Sequence, residues 1–510
     1  MEMGFLDIAV FFLFVSFVVG ISMYKSRKEE TGEDFFLASR SLIWPMIGIS
    51  LIAANISTEQ FVGMSGQGAG NVGLAIASYE WMAAITLVFV AFFFLPKFLE
   101  SGIYTIPEFL EYRYNSTARS LMAFYTMLIY VGVTIAAVIY SGGITIQTIF
   151  NVNMETAIWG IAIVAALYTA WGGLKAVAWA DLFQGSALMI GGVIVLVFGL
   201  IAVGGVESFF AENKDKMHMI LPADHPVLPW TALVIGLWIP NIYYWGLNQY
   251  ITQRTLAAQN LKQGQMGVIF AAGLKLFIPF IIVFPGIIAA QLYSGTMNNT
   301  DAAYPLLIKN LIPVGLRGFM LAAIAGAVIS TLASMLNSAS TIFTMDFYKR
   351  YIKKDASHKE LIISGRLATV IFVVLGAMIA PYLGDPRFMG IFTYIQEFQG
   401  YISPGILAAF IFGFAVKKAP PMAGVAALVL CVPIYGLLQL FYGEIAFLNR
   451  MAITFGIILL VMAAITIYRP LKEPVKMPKR TDFDMTTDPK VKWFGAIVVI
   501  SVLVLYGIFW

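Results

Sequence analysis

Eight consecutive residues, Ala53-Ala54-Asn55-Ile56-Ser57-Thr58-Glu59-Gln60, place five polar side chains in six positions midway along an apolar segment running from about Trp44 to Met64. In hydrocarbon every backbone polar group needs a partner and an ionisable side chain is costly, so packing alone does not account for the run. It reads as a broken helix lining a site. The chemistry on offer is binding, through amides, hydroxyls and carbonyl oxygens released where a helix unwinds.

A second interrupted stretch is Trp238-Ile239-Pro240-Asn241-Ile242-Tyr243-Tyr244-Trp245-Gly246-Leu247-Asn248-Gln249. Pro240 removes a backbone donor and Gly246 loosens the helix, while Asn241 and the aromatics supply hydrogen bonds and flat faces. An interfacial aromatic belt would also use Tyr and Trp. A third cluster, Ala327-Val328-Ile329-Ser330-Thr331-Leu332-Ala333-Ser334, continues through Asn337, Ser338 and Ser340. Small residues of this kind permit close helix packing. A sodium ion, however, needs a compact shell of hard oxygens, and carbonyls freed near Ala53 and Ile56 could meet the Ser330 and Thr331 hydroxyls and the Ala327 carbonyl. Such a shell has no carboxylate and binds weakly, which suits an ion that must be released.

The elements that position these clusters follow from composition. Of 510 residues, 60% are hydrophobic and 12% charged, and the mean hydropathy is +0.83, far from the balance of a soluble domain. The sequence predicts an all-α polytopic membrane protein of about 14 transmembrane helices, at approximately 5–23, 44–64, 76–95, 120–149, 156–171, 179–203, 228–250, 266–293, 314–345, 362–383, 389–416, 421–441, 451–468 and 493–510. The single cysteine, Cys431, excludes an internal disulfide, and the three histidines, His218, His225 and His358, show no metal-ligand spacing. A net charge of +4 carried in short loops points to orientation, not to nucleic acid. The first segment has its basic residues behind it (Lys25, Arg27, Lys28) and no cleavage site, so it is expected to be retained.

Of the 32 Lys and Arg, 25 fall in loops after odd-numbered spans, six (Lys214, Lys216, Lys309, Arg317, Arg387 and Arg450) fall in the opposite loops, and Lys275 lies inside a span. The positive-inside rule then places both termini on the outer, extracellular or periplasmic side of the plasma (inner) membrane. Thr105 to Arg113 reads as a surface helix on the inner face. Glu59, Glu80, Asp181 and Glu397 fall within spans, with Asp7 and Asp346 nearer segment ends. A charge at mid-helix costs about 2.5–3.5 kcal/mol even on a lenient insertion scale, so Glu80 and Lys275 are expected to share polar company, and Asp7 and Asp346 to form structural ion pairs. Broken helices at the second and seventh spans lie five spans apart, as in two five-helix units of opposite topology with a site at mid-bilayer.

The runs SLIAANISTEQFVGMSG, GLAIASYEWM, GIYTIPEF, NIYYWGLNQYITQRTLAA, LASMLNSASTIFTMDFYK and YIQEFQGYISPGILA resemble the sodium:solute symporter family, most closely its sodium/glucose branch, and the similarity extends over nearly the whole chain. The resemblance implies a five-plus-five inverted-repeat (LeuT-type) core: 1–43 the first span and inner loop, 44–226 repeat one, 227–418 repeat two, 419–510 three further spans. It implies a sodium-coupled symporter that imports a monosaccharide such as galactose or glucose by alternating access. Sugar hydroxyls would be bound by Gln60, Glu80, Asn241, Lys275 and Gln396. Met64, Tyr79 and Phe392 would form an outer hydrophobic gate, and Tyr244, held by Asn55, would stack on the sugar from the inner side. Sodium would be held by the carbonyls of Ala53, Ile56 and Ala327 with Ser330 and Thr331, and Asp181 would lie on the inward sodium route. Ala83 stands where a galactose-transporting member has a serine, and Thr331 also replaces a serine.

Physical chemistry agrees with that implication. A pyranose presents hydroxyls at its edge and C–H groups on its faces, which suit amides, a carboxylate and an ammonium around a Tyr ring. A tenfold sodium gradient supplies about 1.4 kcal/mol and 100 mV about 2.3 kcal/mol per charge, so one sodium could drive a neutral sugar uphill roughly 500-fold. The rivals are a family member for a cyclitol or organic anion, and a membrane sensor or channel. An intramembrane enzyme is disfavoured, since H-E-x-x-H, G-x-G-D and a Ser/His pairing are all missing.

Overall fold

The computed structural model describes residues 4–25, 40–171, 174–385, 387, 389–481 and 483–510. The expected first inner loop, with Arg27 and Lys28, lies outside the described residues. Within them the chain is helical, and the single extended pairing is one bridge between Leu42 and Ala258. Ten helices are long and apolar enough to cross a membrane, and a bent pair, Ile391–Gln399 with Ser403–Ala415, makes eleven. Trp44–Asn55 and Met154–Thr169 are apolar but shorter. The predicted seventh span is a chain of short helices, Trp230–Val234, Trp238–Leu247 and Gln249–Leu256.

Helix ends follow local chemistry. Asn115 caps Ser116–Ile129 by accepting from the Ala118 amide at 2.9 Å. Ser357 and Glu360 form a reciprocal capping box at the start of His358–Ile379. Ser78–Ser101 stops at Gly102, whose φ of +69° is the left-handed conformation that glycine adopts without a Cβ penalty. The inner-face segment is a helix, Ile106–Arg113, with Pro107 in its first turn and an apolar side buried.

The centre is set by which helices are covered. Within their apolar windows, 83% of residues are buried in Leu316–Ile352, against 17% in the N-terminal helix and 22% in Pro489–Ile508. Leu261–Lys275 packs on both Trp44–Asn55 and Ser78–Ser101, and Leu174–Ala202 packs on Trp44–Asn55 and Leu316–Ile342. The first broken helix is thus wrapped by its neighbours. Outward-facing Phe12, Leu13, Leu460, Ile467 and Leu503 stay exposed, an apolar perimeter suited to lipid.

Several cations that the charge sorting treats as loop residues are buried: Arg40, Arg113, Arg254, Arg317 and Arg450. Each satisfies polar groups that bury it. Arg113 donates to the carbonyls of Gly413 and Val416 at 2.7 and 2.6 Å, capping the end of Ser403–Ala415. Asp7 pairs with Arg317 at 3.0 Å and accepts from the Gly315 and Gly318 amides, and Asp346 pairs with Arg119, so both terminal carboxylates are structural. Glu397 pairs with Arg450 at 2.6 Å.

Candidate functional site

The first break is a redistribution of backbone hydrogen bonds. Trp44–Asn55 ends at Ile56 (φ −79°, ψ 72°), a π-helical turn spans Gln60–Met64, and helix resumes at Ser65–Ala69. The amides that would close α-helical bonds onto the Ala53 and Ile56 carbonyls are those of Ser57 and Gln60. They bond instead to the Asn55 carbonyl at 2.9 Å and the Ser57 carbonyl at 3.0 Å. Both expected carbonyls therefore lose their helical partners. Thr58 accepts from the Ser141 hydroxyl, and the Glu59 carboxylate takes the Ser57 hydroxyl. Glu59 is thereby engaged within its own turn.

The second break falls at Asn248 (φ −83°, ψ 122°), between Trp238–Leu247 and Gln249–Leu256, and not at Gly246. Pro240 lies in the first turn of its helix, where a missing amide costs little. Gly246 serves packing, since a Cβ there would come within 2.5 Å of the Phe94 ring. A third break, between Gln399 and Ser403, bends the helix pair by 46°. The run Ser403-Pro404-Gly405 was the available signal for it, because Pro favours the start of a new helix.

Eight of the predicted residues, Asn55, Gln60, Tyr79, Glu80, Asn241, Tyr244, Phe392 and Gln396, line one tight cavity of about 30 Å³ together with Pro240 and Trp245. They come from all three broken elements and from Ser78–Ser101. Three of its polar atoms, Gln60 Oε1, Asn241 Nδ2 and the Tyr79 hydroxyl, are buried without a hydrogen-bond partner within the protein. Buried polar groups are ordinarily satisfied, so these atoms leave one acceptor and two hydrogen-bonding groups of the cavity unmet within the protein. The Tyr79 and Phe392 rings meet edge to face at 4.8 Å on one side. Met64 is fully buried on the neighbouring π-turn, where Gly63 abuts Phe392. On the opposite side Asn55 Nδ2 donates to the Tyr244 hydroxyl at 3.1 Å, and Tyr250 donates to the same oxygen.

Lys275 stands one layer behind the cavity wall. Its ammonium donates to Glu80 Oε2 and Asn55 Oδ1 and lies 4.6 Å from the centre of the Trp245 ring. A buried ammonium with a carboxylate, an amide and an indole face has the company that the sequence called for.

The ion-binding candidates lie on two helices held by one carboxylate. Asp181 accepts from the Ser50 hydroxyl, one turn before Ala53, and from the Ser330 hydroxyl. Its other partner is Arg254, at 2.8 Å, which also donates to Ser50 at 2.7 Å and Ser334 at 2.8 Å. Thr331 Oγ1 is buried with no hydrogen-bond partner among the described residues. Ala327, Ser330 and Thr331 sit in the unbroken helix Leu316–Ile342. A lone arginine after a span reads as a loop cation, so Arg254 carries no sequence signal of its burial beside Asp181 on Gln249–Leu256, the helix after the Asn248 break.

A model of the sodium:solute symporter family matches residues 35–430. The chain is 40% identical to a sodium/glucose cotransporter of Vibrio parahaemolyticus, over 100% of this chain and 99% of that one. It is 34% identical to the sodium/myo-inositol cotransporter 2 of Bos taurus, over 83% of this chain and 68% of that one. The solved structure of a Na⁺-coupled sialic acid symporter, 22% identical, matches with a TM-score of 0.82 over 93% of this chain and 100% of that chain. At that identity the match shows the fold.

Proposed function

The chain belongs to the sodium:solute symporter family, and from that premise we propose that it imports a neutral monosaccharide, galactose- or glucose-like, with sodium by alternating access. The observation that carries this reading is the cavity in which Gln60, Glu80, Asn241 and Gln396 converge with unpartnered donor and acceptor atoms between two aromatic closures. A sugar hydroxyl both donates and accepts, so it matches Asn241 Nδ2 and Gln60 Oε1 at once. Lys275 supports the site from behind by fixing Glu80 and Asn55. Met64, Tyr79 and Phe392 act as the outer gate, Tyr244 with Asn55 as the inner one.

Sodium, the co-substrate, is read as bound by the carbonyls of Ala53, Ile56 and Ala327 with Ser330 and Thr331, and Asp181 as its step toward the inner side. The ion and the solute then share the unwound segment: sodium orders its first half and Gln60 at its far end completes the sugar site. The architecture in this reading is fourteen spans, with repeats at 44–226 and 227–418 related by inverted topology and both termini outside. The shorter and interrupted helices count as spans because a broken helix crosses the bilayer in two pieces.

A cyclitol is the second reading, favoured by the myo-inositol relative. An organic anion fits less well, because the positive charge of Lys275 is already matched by Glu80. The deciding experiment is uptake of labelled galactose, glucose, myo-inositol and sialic acid into proteoliposomes with an inward sodium gradient. Galactose or glucose uptake that collapses when sodium is replaced by choline supports the proposal; uptake of neither sugar refutes the substrate assignment.

A further inference from the structure

Beyond the gate pair Tyr79 and Phe392 lies a second, wider cavity of about 660 Å³, with Gln67, His225, Asn299, Asp301, Asp385 and Gly390 among the residues on its wall. Asp301 is the unusual member. It sits in the turn Thr300–Ala302, is 2% exposed, and is wedged between two gate-bearing elements. Oδ2 accepts from the Ile391 amide at 3.3 Å, at the start of the helix that carries Phe392. Oδ1 has no partner, and a Cβ on Gly66, two residues beyond Met64, or on Gly390 would lie 3.0 or 3.3 Å from it. Gln67 ties the same two elements directly, donating to the Met389 carbonyl at 2.8 Å and the Thr393 hydroxyl at 3.2 Å.

We propose that Asp301 is a proton-binding positioning residue of the outer gate: protonated, it stays packed between the outer half of the first broken helix and the helix Ile391–Gln399, and ionised, it releases them. The physical reason is hydration. A carboxylate with one amide donor and a bare second oxygen is poorly solvated in this closed arrangement, and it recovers water only when Gly66 and Gly390 move apart. Burial pushes its carboxyl up to about 7 here, whereas a hydrated Asp titrates near about 3.9. By linkage the proton therefore favours the closed arrangement, and rising pH favours the open one.

Few other ionisable groups face it. Tyr140 lies across the turn from Ala136–Phe150. His225 and Asp385 stand on the same cavity wall, Asp385 already paired with Arg387. Gln60–Met64 and Ser65–Ala69 carry none. In the following helix Tyr304 and Lys309 are engaged by the Ile281 and Thr148 carbonyls.

The test uses access rather than uptake, so it stands apart from the identity of the solute, although it rests on the reading of Tyr79 and Phe392 as the gate. In a Cys431→Ser background carrying Gln60→Cys as reporter, labelling by an impermeant maleimide added outside proteoliposomes is timed between about pH 5.5 and 8.5. Dividing by the rate in the matching Asp301→Asn protein cancels the reporter thiol's own titration. The expected ratio rises at least about threefold from pH 5.5 to about 7 and levels off above it, where the carboxyl is ionised in the closed arrangement as well. A flat ratio overturns the proposal, as does a pH dependence that persists in Asp301→Asn and vanishes in His225→Gln. Gln67→Ala, which loosens the same clasp without a titrating group, should raise labelling at every pH and keep the pH-dependent ratio. If it abolishes the ratio instead, the proposal fails.

Discussion

At the scale of single residues, the proposed function divides the cavity into groups that would meet the solute and groups that hold those in place. Asn241→Ala and Gln60→Ala should each lower sugar uptake at limiting concentration about tenfold or more while leaving thermal stability in detergent nearly unchanged, since Asn241 Nδ2 and Gln60 Oε1 have no protein partner to lose. Lys275 is different. Lys275→Met leaves Glu80 buried without its counter-charge, so the expected outcome is a loss of about 3–5 kcal/mol in stability together with loss of uptake. The double variant Lys275→Met/Glu80→Gln should regain stability without regaining uptake, and thermal unfolding with parallel transport assays separates the two. Thr331 tests the ion. Thr331→Val should raise the half-saturating sodium concentration about tenfold, whereas Thr331→Ser keeps the hydroxyl and stays near the parent. An unchanged sodium curve in Thr331→Val would remove this residue from the ion site.

At the scale of elements, broken helices work only if their halves are held at fixed distances by neighbours. Gly286 lies where the helix Ile278–Tyr293 crosses the outer half of the first broken helix, and a Cβ there would stand 2.1 Å from the Ser65 carbonyl oxygen. Gly286→Ala must therefore push the two apart, with an expected cost of about 1–3 kcal/mol and a fall in turnover larger than any change in solute KM. On the inner face, Glu111 of Ile106–Arg113 takes hydrogen bonds from Arg350 and Arg119. These hold its carboxyl down to about 2, with Arg350 the larger cause. A depressed carboxyl contributes its stability above its unfolded value of about 4.5 and loses it as pH falls toward 2. Glu111→Gln should flatten the stability profile across that acid window in thermal unfolding. The sequence located the first two breaks because polar runs and Pro/Gly stand out against apolar spans. The second break falls at Asn248, inside the interrupted stretch 238–249, whereas the third was passed over because Ser403 reads as part of one continuous apolar span.

At the scale of the whole molecule, membrane insertion, helical class and family were legible in the sequence because the bilayer imposes them on composition: long apolar segments and internally satisfied backbones leave little choice. The distribution of Lys and Arg supports the proposal that both termini lie outside, under which a cysteine introduced beside Trp510 in the Cys431→Ser background should react with impermeant reagent from the outer face of cells. Labelling only after permeabilisation would reverse the orientation. The sequence by itself also determined which residues meet, since eight predicted from scattered motifs line one cavity. Only the tertiary structure decided how they act together. It paired Lys275 with Asn55 and Glu80, joined the helix of Ala53 to that of Ser330 through Asp181, buried Arg254 beside it, and set Asp301 between Ser65–Ala69 and Ile391–Gln399. Composition records what a side chain can bind, but whether a charge is solvated, paired or stranded depends on neighbours distant in sequence, and those are supplied by packing alone.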